Sequence, residues 1–290
     1  TGLARHYRSY PTMALALRFV HGAVRARGGT VGSTAFRSAP ASFFLPHATA
    51  LPTGARPLSS IAAELNTLSS ALPYMEVVHF PAKQYKWTTL DLKKYTDAFA
   101  SGLAEAGFKT GDALAMWIPK DTAEALVIKF TCARLGLLLV EIDGAVAEPE
   151  KLKAILNEHK AKGLVYDPEM GDRYNTDLLK RVMPELEVYD SAFGKGFRSR
   201  EVPSMKLLMH THIDIIEGAQ NLKYMMTYNP PASLLPAVPP NSTPLSVVYG
   251  PGSGDKAQVL TQAQALASPA WADVKKVLAK EHAIYNEKCS

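Results

Sequence analysis

Acid is missing from the start of this chain. No Asp or Glu precedes Glu64, while Arg5, Arg8, Arg18, Arg25, Arg27, Arg37 and Arg56 all do. An arginine-rich, serine-containing, acid-free beginning reads as an organellar transit-type segment. A chain that opens at Thr1 without Met fits a presequence already cut. Cysteine is scarce: two residues, Cys132 and Cys289, exclude a disulfide framework and a CxxC metal pattern. Cys132 falls in an apolar helical stretch and reads as a small core residue. No run of eighteen apolar residues occurs, so no membrane-spanning helix is expected. Helix-turn-helix, RNA-recognition and zinc-finger patterns are absent, so no nucleic-acid partner is expected. Contact with anionic lipid through the basic arm stays open. No G-x-S-x-G is present, and no ligand set with metal spacing, so neither a catalytic set nor a metal site is expected.

What is present is globular: 290 residues, 47% apolar and 20% charged, with a net charge of +5. The most regular stretch is 85–166. A helix over Asp91–Ala106 places Leu92, Tyr95, Phe99 and Leu103 on one face, with Thr89 as N-cap and Gly107 as stop. A strand over Ala113–Ile118 ends at Pro119. Asp121 or Thr122 then caps a helix that runs to Leu135 and stops at Gly136. Leu137–Ile142 is a nearly all-apolar strand of the kind buried on both faces of a parallel sheet. A third helix, marked by Leu152, Ile155, Leu156 and His159, leads to a strand over Gly163–Tyr166. This alternation predicts an α/β fold, helices layered on a mostly parallel sheet.

Around that centre we expect three regions: a basic extended arm over 1–60, an α/β domain over 61–200, and a C-terminal region over 201–290. In the arm, Thr12–Val24 suits one amphipathic helical piece. Ser59 or Ser60 caps a helix to Leu72, and Met75–Phe80 is a strand. Past Tyr166 come a helix over Asp172–Met183, a strand over Leu186–Tyr189, an exposed basic loop over 191–206 and a helix over Thr211–Tyr228. His210 and His212 flank Thr211 as an H-x-H pair without further ligands and read as surface or cap histidines. Glu141 and Asp143, two acids at a strand end, read as solvated. Seven prolines between Pro230 and Pro251 predict an extended connector, and Ser268–Tyr285 a final helix with Val274, Val277 and Leu278 on one side.

Several stretches together resemble the large domain of adenylate-forming enzymes, the acyl-CoA synthetase and luciferase superfamily. They are Tyr85-Lys86-Trp87-Thr88, Leu103-Ala104-Glu105-Ala106-Gly107-Phe108, Lys109-Thr110-Gly111-Asp112, Ile118-Pro119-Lys120 and Cys132-Ala133-Arg134-Leu135-Gly136. The resemblance implies an ATP-phosphate loop of the form Y-T-S-G-T-T-G-x-P-K-G after a strand, because backbone N–H groups, hydroxyls and a Lys surround phosphate oxygens. The matching positions are Tyr249, Gly250, Gly252, Ser253, Gly254 and Lys256, followed by Leu260-Thr261. The departures are Pro251, which removes a donor, Asp255, which brings negative charge, glycines in place of hydroxyls, and a shorter loop. The same run approaches a Walker A motif but lacks its spacing, and Ala257 cannot ligate magnesium.

The resemblance also implies an acidic magnesium-binding motif and a mobile domain, neither of which occurs between Thr1 and Ser290. On that basis the loop is expected to be a vestige, with no catalysis, no bound cofactor and no metal. The chain is then expected to be a pseudoenzyme serving as a structural accessory subunit of a mitochondrial inner-membrane assembly, an ATP synthase or respiratory complex, on the matrix side, with other subunits as partners. Two alternatives stand beside it: a truncated synthetase that binds nucleotide or acyl-CoA, and an organellar RNA- or ribosome-associated protein.

Overall fold

The computed structural model describes residues 60–190, 196–227, 235–249 and 259–285. The basic arm with Thr12–Val24, residues 250–258 and Cys289 lie outside these. In chain order the elements are α1 (Ile61–Ala71), β1 (Glu76–Phe80), β2 (Tyr85–Thr88), α2 (Thr89–Glu105), β3 (Ala113–Trp117), α3 (Ala123–Leu135) and β4 (Leu138–Ile142). They continue with α4 (Pro149–Glu158), β5 (Gly163–Tyr166), β6 (Glu169–Met170), β7 (Arg173–Tyr174), α5 (Asn175–Val182), β8 (Leu207–His210), β9 (Gln220–Asn221) and α6 (Leu222–Thr227). The last are β10 (Pro244–Tyr249), β11 (Leu260–Thr261), α7 (Gln262–Ala267), α8 (Ala272–Leu278) and β12 (Ala283–Ile284).

Seven strands form one sheet in the order β11-β10-β4-β3-β5-β8-β9. Every pairing is parallel except β10 with β11. β3 is buried at all five positions, as a strand covered on both faces must be. Side chains alternate between two cores. Leu114, Met116 and Leu139 join Phe99, Leu126 and Val274 on one face. Ala115, Trp117 and Val140 join Leu152, Leu156 and Leu179 on the other. A smaller sheet, β12-β1-β2, borders the first core. Residues 61–200 and 201–290 both contribute strands to the large sheet.

Local chemistry sets most boundaries. Thr88, one residue before the expected Thr89, caps α2 in a reciprocal box with Asp91. Thr122 caps α3, and Gly136 ends it at a φ of 69°, left-handed backbone that glycine takes without strain. Ser60 caps α1.

Several expectations fail. Leu186–Tyr189 is no strand; Pro184–Glu187 is a single 3₁₀ turn. The helix expected over Thr211–Tyr228 is helical only at Leu222–Thr227. Leu207–His210, just before it, is a strand, Gly218 has a φ of 80°, and the Asn221 side chain accepts from Lys223 N and donates to the His212 carbonyl. The last helix stops at Leu278; Lys280 turns the chain at a φ of 66°, and Ala283–Ile284 pairs parallel with β1. In the expected exposed loop, Phe197, Val202 and Met205 are buried. The described part of the expected connector lies on α3: Arg134 Nη1 donates to the Pro236 carbonyl at 2.8 Å.

Candidate functional site

β10 runs between β4 and β11 and ends at Tyr249, the last described residue before 250–258. In open parallel sheets, ligands bind outside the carboxyl ends of the strands, and Tyr249 stands at that end. Its ring is 5% exposed. Its hydroxyl donates to Glu158 Oε2 at 2.9 Å and lies 2.6 Å from His159 Nε2. With the phenol proton given to Glu158, the His159 tautomer that completes the set carries its proton on Nε2. The two rings meet edge to face with centroids 5.6 Å apart. Burial, then the hydrogen bond to Glu158 and its charge, push the phenol well above its ordinary range, so it stays protonated. Burial lowers His159, with Glu158 opposing, so the imidazole is neutral near pH 7. The cluster ties the exit of β10 to the end of α4 across about ninety positions of sequence.

Neighbouring strands supply the rest of this rim. Asp143 follows β4, and its backbone N–H donates to the Tyr249 carbonyl at 3.0 Å. Its carboxylate accepts from Ala145 N at 2.9 Å and from Lys120 Nζ at 3.1 Å. Those bonds hold its pKa below the usual range, led by the one from Ala145. Lys120, after β3, therefore places a cation at the same edge. Of the loop positions singled out in the sequence, the structure brings Tyr249 to this rim, and Gly250, Gly252, Ser253, Gly254 and Lys256 lie outside the described residues. Glu158 and His159 were missed as partners of Tyr249, since neither composition nor spacing links a helix end to a strand that far along the chain.

Two expectations about acids and histidines reverse. Glu141 is not solvated: it is 1% exposed, and its Oε1 accepts from Ser246 Oγ at 2.7 Å and Trp271 Nε1 at 2.8 Å. Burial raises its pKa, with Lys129 opposing. Lys129, also 1% exposed, donates to both Asp273 oxygens at 3.0 Å and to the Ala270 carbonyl at 2.7 Å. His210 is not at the surface: it is 1% exposed at the end of β8. His212 faces Asp214 at 3.2 Å. Among the described residues, no group of three His, Cys, Asp or Glu side chains is placed to hold a metal. Cys132 is buried, as read, and burial pushes its thiol far up.

A mostly parallel sheet covered on both faces, with the inner strand β10 ending at Tyr249, defines a layered α/β protein. The family model described as AMP-binding enzyme matches residues 70–235, and the chain belongs to that family. Among curated proteins it is 32% identical over 123 residues to mouse medium-chain acyl-CoA ligase ACSF2, mitochondrial, covering 42% of this chain and 20% of that protein. The human protein of that name is 28% identical over 141 residues, 49% of this chain and 22% of the relative. The putative acyl-CoA synthetase YngI of Bacillus subtilis is 26% identical over 153 residues, 52% and 27%. The chain thus spans about a fifth to a quarter of the length of the relatives it matches. A fatty acyl CoA synthetase of Mycobacterium tuberculosis superposes with a TM-score of 0.58 at 15% identity, over 79% of this chain and 44% of that one. Acetoacetyl-CoA synthetase from Streptomyces lividans superposes at 0.59 and 14% identity, over 78% and 38%. At those identities the likeness concerns the fold: the expected layered α/β architecture.

These relatives overturn the expected role. They are named ligases and synthetases, which removes the basis for a structural accessory subunit of an ATP synthase or respiratory chain at the inner membrane. The pseudoenzyme reading falls with it. It rested on the departures in the loop and on motifs not found between Thr1 and Ser290, whereas the family match and the relatives are those of acyl-CoA ligases, and a match that covers so small a share of each relative says nothing about residues outside it.

Proposed function

We propose that this chain carries the nucleotide-binding part of an acyl-CoA ligase-type enzyme, with a mitochondrial location and a medium-chain carboxylic acid or its thioester as the acyl partner. The chemistry is transfer of an adenylyl group to a carboxylate: a carboxylate oxygen bonds to the α-phosphorus and pyrophosphate leaves. The observation that carries the reading is Tyr249, fixed by Glu158 and His159 at the carboxyl end of β10, where 250–258 begins. In this reading Tyr249 positions the loop entrance. Gly250, Gly252 and Gly254 let backbone N–H groups approach the phosphates, Ser253 offers a hydroxyl and Lys256 a charge. Pro251 and Asp255 weaken the same cradle, so a modest affinity is expected. The medium-chain class and the mitochondrial location are supported by the names of the ACSF2 proteins.

Thermal-shift titration of the full chain with ATP, AMP and octanoyl-CoA tests the binding. A ligand at a hundred times its Kd adds about 2.7 kcal/mol. Lys256→Ala should reduce the ATP response and leave the melting temperature of the free protein unchanged. Pyrophosphate release from ATP and octanoate tests the chemistry. No shift with any of the three ligands, together with no release, would sink the proposal.

A further inference from the structure

Between Gly250 and Gln258 the sequence carries one acid and one base, Asp255 and Lys256. That stretch adds no net charge, whereas a nucleoside triphosphate brings several negative ones. Phosphates at its entrance therefore need positive charge from the neighbouring strands as well as from Lys256.

Two basic side chains flank the turn after β4, and they differ in freedom. Arg173 is committed. Its Nε donates to Asn175 Oδ1 at 2.7 Å, its Nη2 donates to the Gly144 carbonyl at 2.6 Å, and the guanidinium lies over the Trp117 ring, 5.3 Å from the centroid. Moving it would break both bonds and uncover a buried indole. Lys120 makes one hydrogen bond among the described residues, from Nζ to Asp143 Oδ2 at 3.1 Å, and its side chain is 43% exposed. Such an exposed ion pair contributes about 0–1 kcal/mol. A point charge on a flexible stem can thus pass to a stronger anion at small cost.

The geometry brings this lysine close to the start of 250–258. In the order β10-β4-β3, strands about 4.8 Å apart put the end of β3 about 10 Å from the end of β10. Lys120 already reaches across the first gap to Asp143, and the Asp143 N–H holds the Tyr249 carbonyl at 3.0 Å across the second. Asp143 does not depend on Lys120 for its position, because its Oδ1 accepts from Ala145 N at 2.9 Å.

We propose that Lys120 is a phosphate-binding residue of the strand-end site, held in reserve by Asp143. When the phosphates of a nucleotide arrive, the ammonium leaves the carboxylate for a phosphate oxygen, and Asp143 stays where Ala145 fixes it. This rests on the nucleotide reading of the Tyr249 rim and adds to it a second cation and an internal competitor for that cation. Asp143 lowers the affinity twice, by occupying Lys120 in the free protein and by repelling phosphate once Lys120 has left.

Calorimetric titration of the full chain with ATP and with AMP tests this. Lys120→Met should weaken ATP by about tenfold and AMP by about threefold or less, so the preference for the longer phosphate chain shrinks. Lys120→Arg should keep most of the ATP affinity, since the charge remains. Asp143→Asn keeps an oxygen for Ala145 N and should tighten ATP by about tenfold. Most of that gain should disappear in the Lys120→Met background, where no lysine is released. Melting temperatures of the free variants should barely move, because the pair is exposed. Unchanged ATP affinity in Lys120→Met, or an Asp143→Asn gain of equal size with and without Lys120, would overturn the inference and leave the nucleotide reading standing. Failure of the wild-type protein to bind ATP would overturn both.

Discussion

The two faces of the large sheet are built differently. On the face of Trp117, Val140 and Tyr166, consecutive β–α units between Ala113 and Met183 supply most of the buried apolar side chains. On the face of α3, segments far apart in sequence meet through buried polar groups. Glu141 reaches Ser246 and Trp271, and Lys129 reaches Ala270 and Asp273. Among the described residues, the charged side chains in the buried class, Lys129 and Glu141, both lie there. The difference teaches where specificity is needed. Neighbouring units find each other through apolar patterning, whereas docking of residues 259–285 onto the sheet is directed by hydrogen bonds that one register satisfies.

The largest break in this comparison should come from Lys129→Met. It leaves Asp273 without its cation in a largely buried place and should cost about 4 kcal/mol in urea unfolding. Adding Asp273→Leu should recover most of that loss, because two apolar groups need no partner. No recovery in the double variant would show that the pair does more than compensate itself. On the opposite face Leu164→Ala should cost about 3 kcal/mol, and no second substitution far along the chain should rescue it.

Glu141→Gln should give a smaller effect of opposite sign. The folded pKa of Glu141 is raised above its unfolded value. Its contribution is therefore full below the unfolded pKa and is lost as pH rises through the folded one. The wild-type protein should lose stability with rising pH above the ordinary carboxylate range. The Gln variant should be flatter there and, at pH 7, more stable by about 1 kcal/mol. Denaturation midpoints between pH 4 and 8 decide it. Tyr249→Phe, at the strand-end cluster, should be the mildest, costing about 1 kcal/mol. His159 adds a pH signature of its own. Its folded pKa is lowered, so its contribution is present above the unfolded value near 6.5 and fades as pH falls through the folded one. That fading should be altered in Tyr249→Phe, where the 2.6 Å contact is gone.

The apolar face was largely legible in the sequence. Leu152, Ile155 and Leu156 announce α4 by spacing, and the nearly all-apolar runs at Ala113 and Leu138 announce strands covered on both sides. The α3 face was not. Nothing local marks Glu141 as buried, because the groups that satisfy it lie 105 and 130 positions away. The same reason hid the bond of Tyr249 to Glu158 and His159. The helix expected over Thr211–Tyr228 kept only its last turns: Leu222 and Met226 are buried, whereas Ile215 is exposed and Gly218 turns the chain at a φ of 80°. Periodicity reports a face and not whether anything covers it.

The pairing of Val78 with Ala283 and His79 with Ile284 joins positions about two hundred apart. Such a bond closes a very long loop, and its entropic cost falls early while its reward comes late. During synthesis, β1 leaves the ribosome with one edge open and keeps it open until nearly all of the described residues have emerged. The partner strand that protects it is thus among the last of them to be made. Over that interval an exposed run of Glu76–Phe80 is the place where a nascent chain would pair with a stranger.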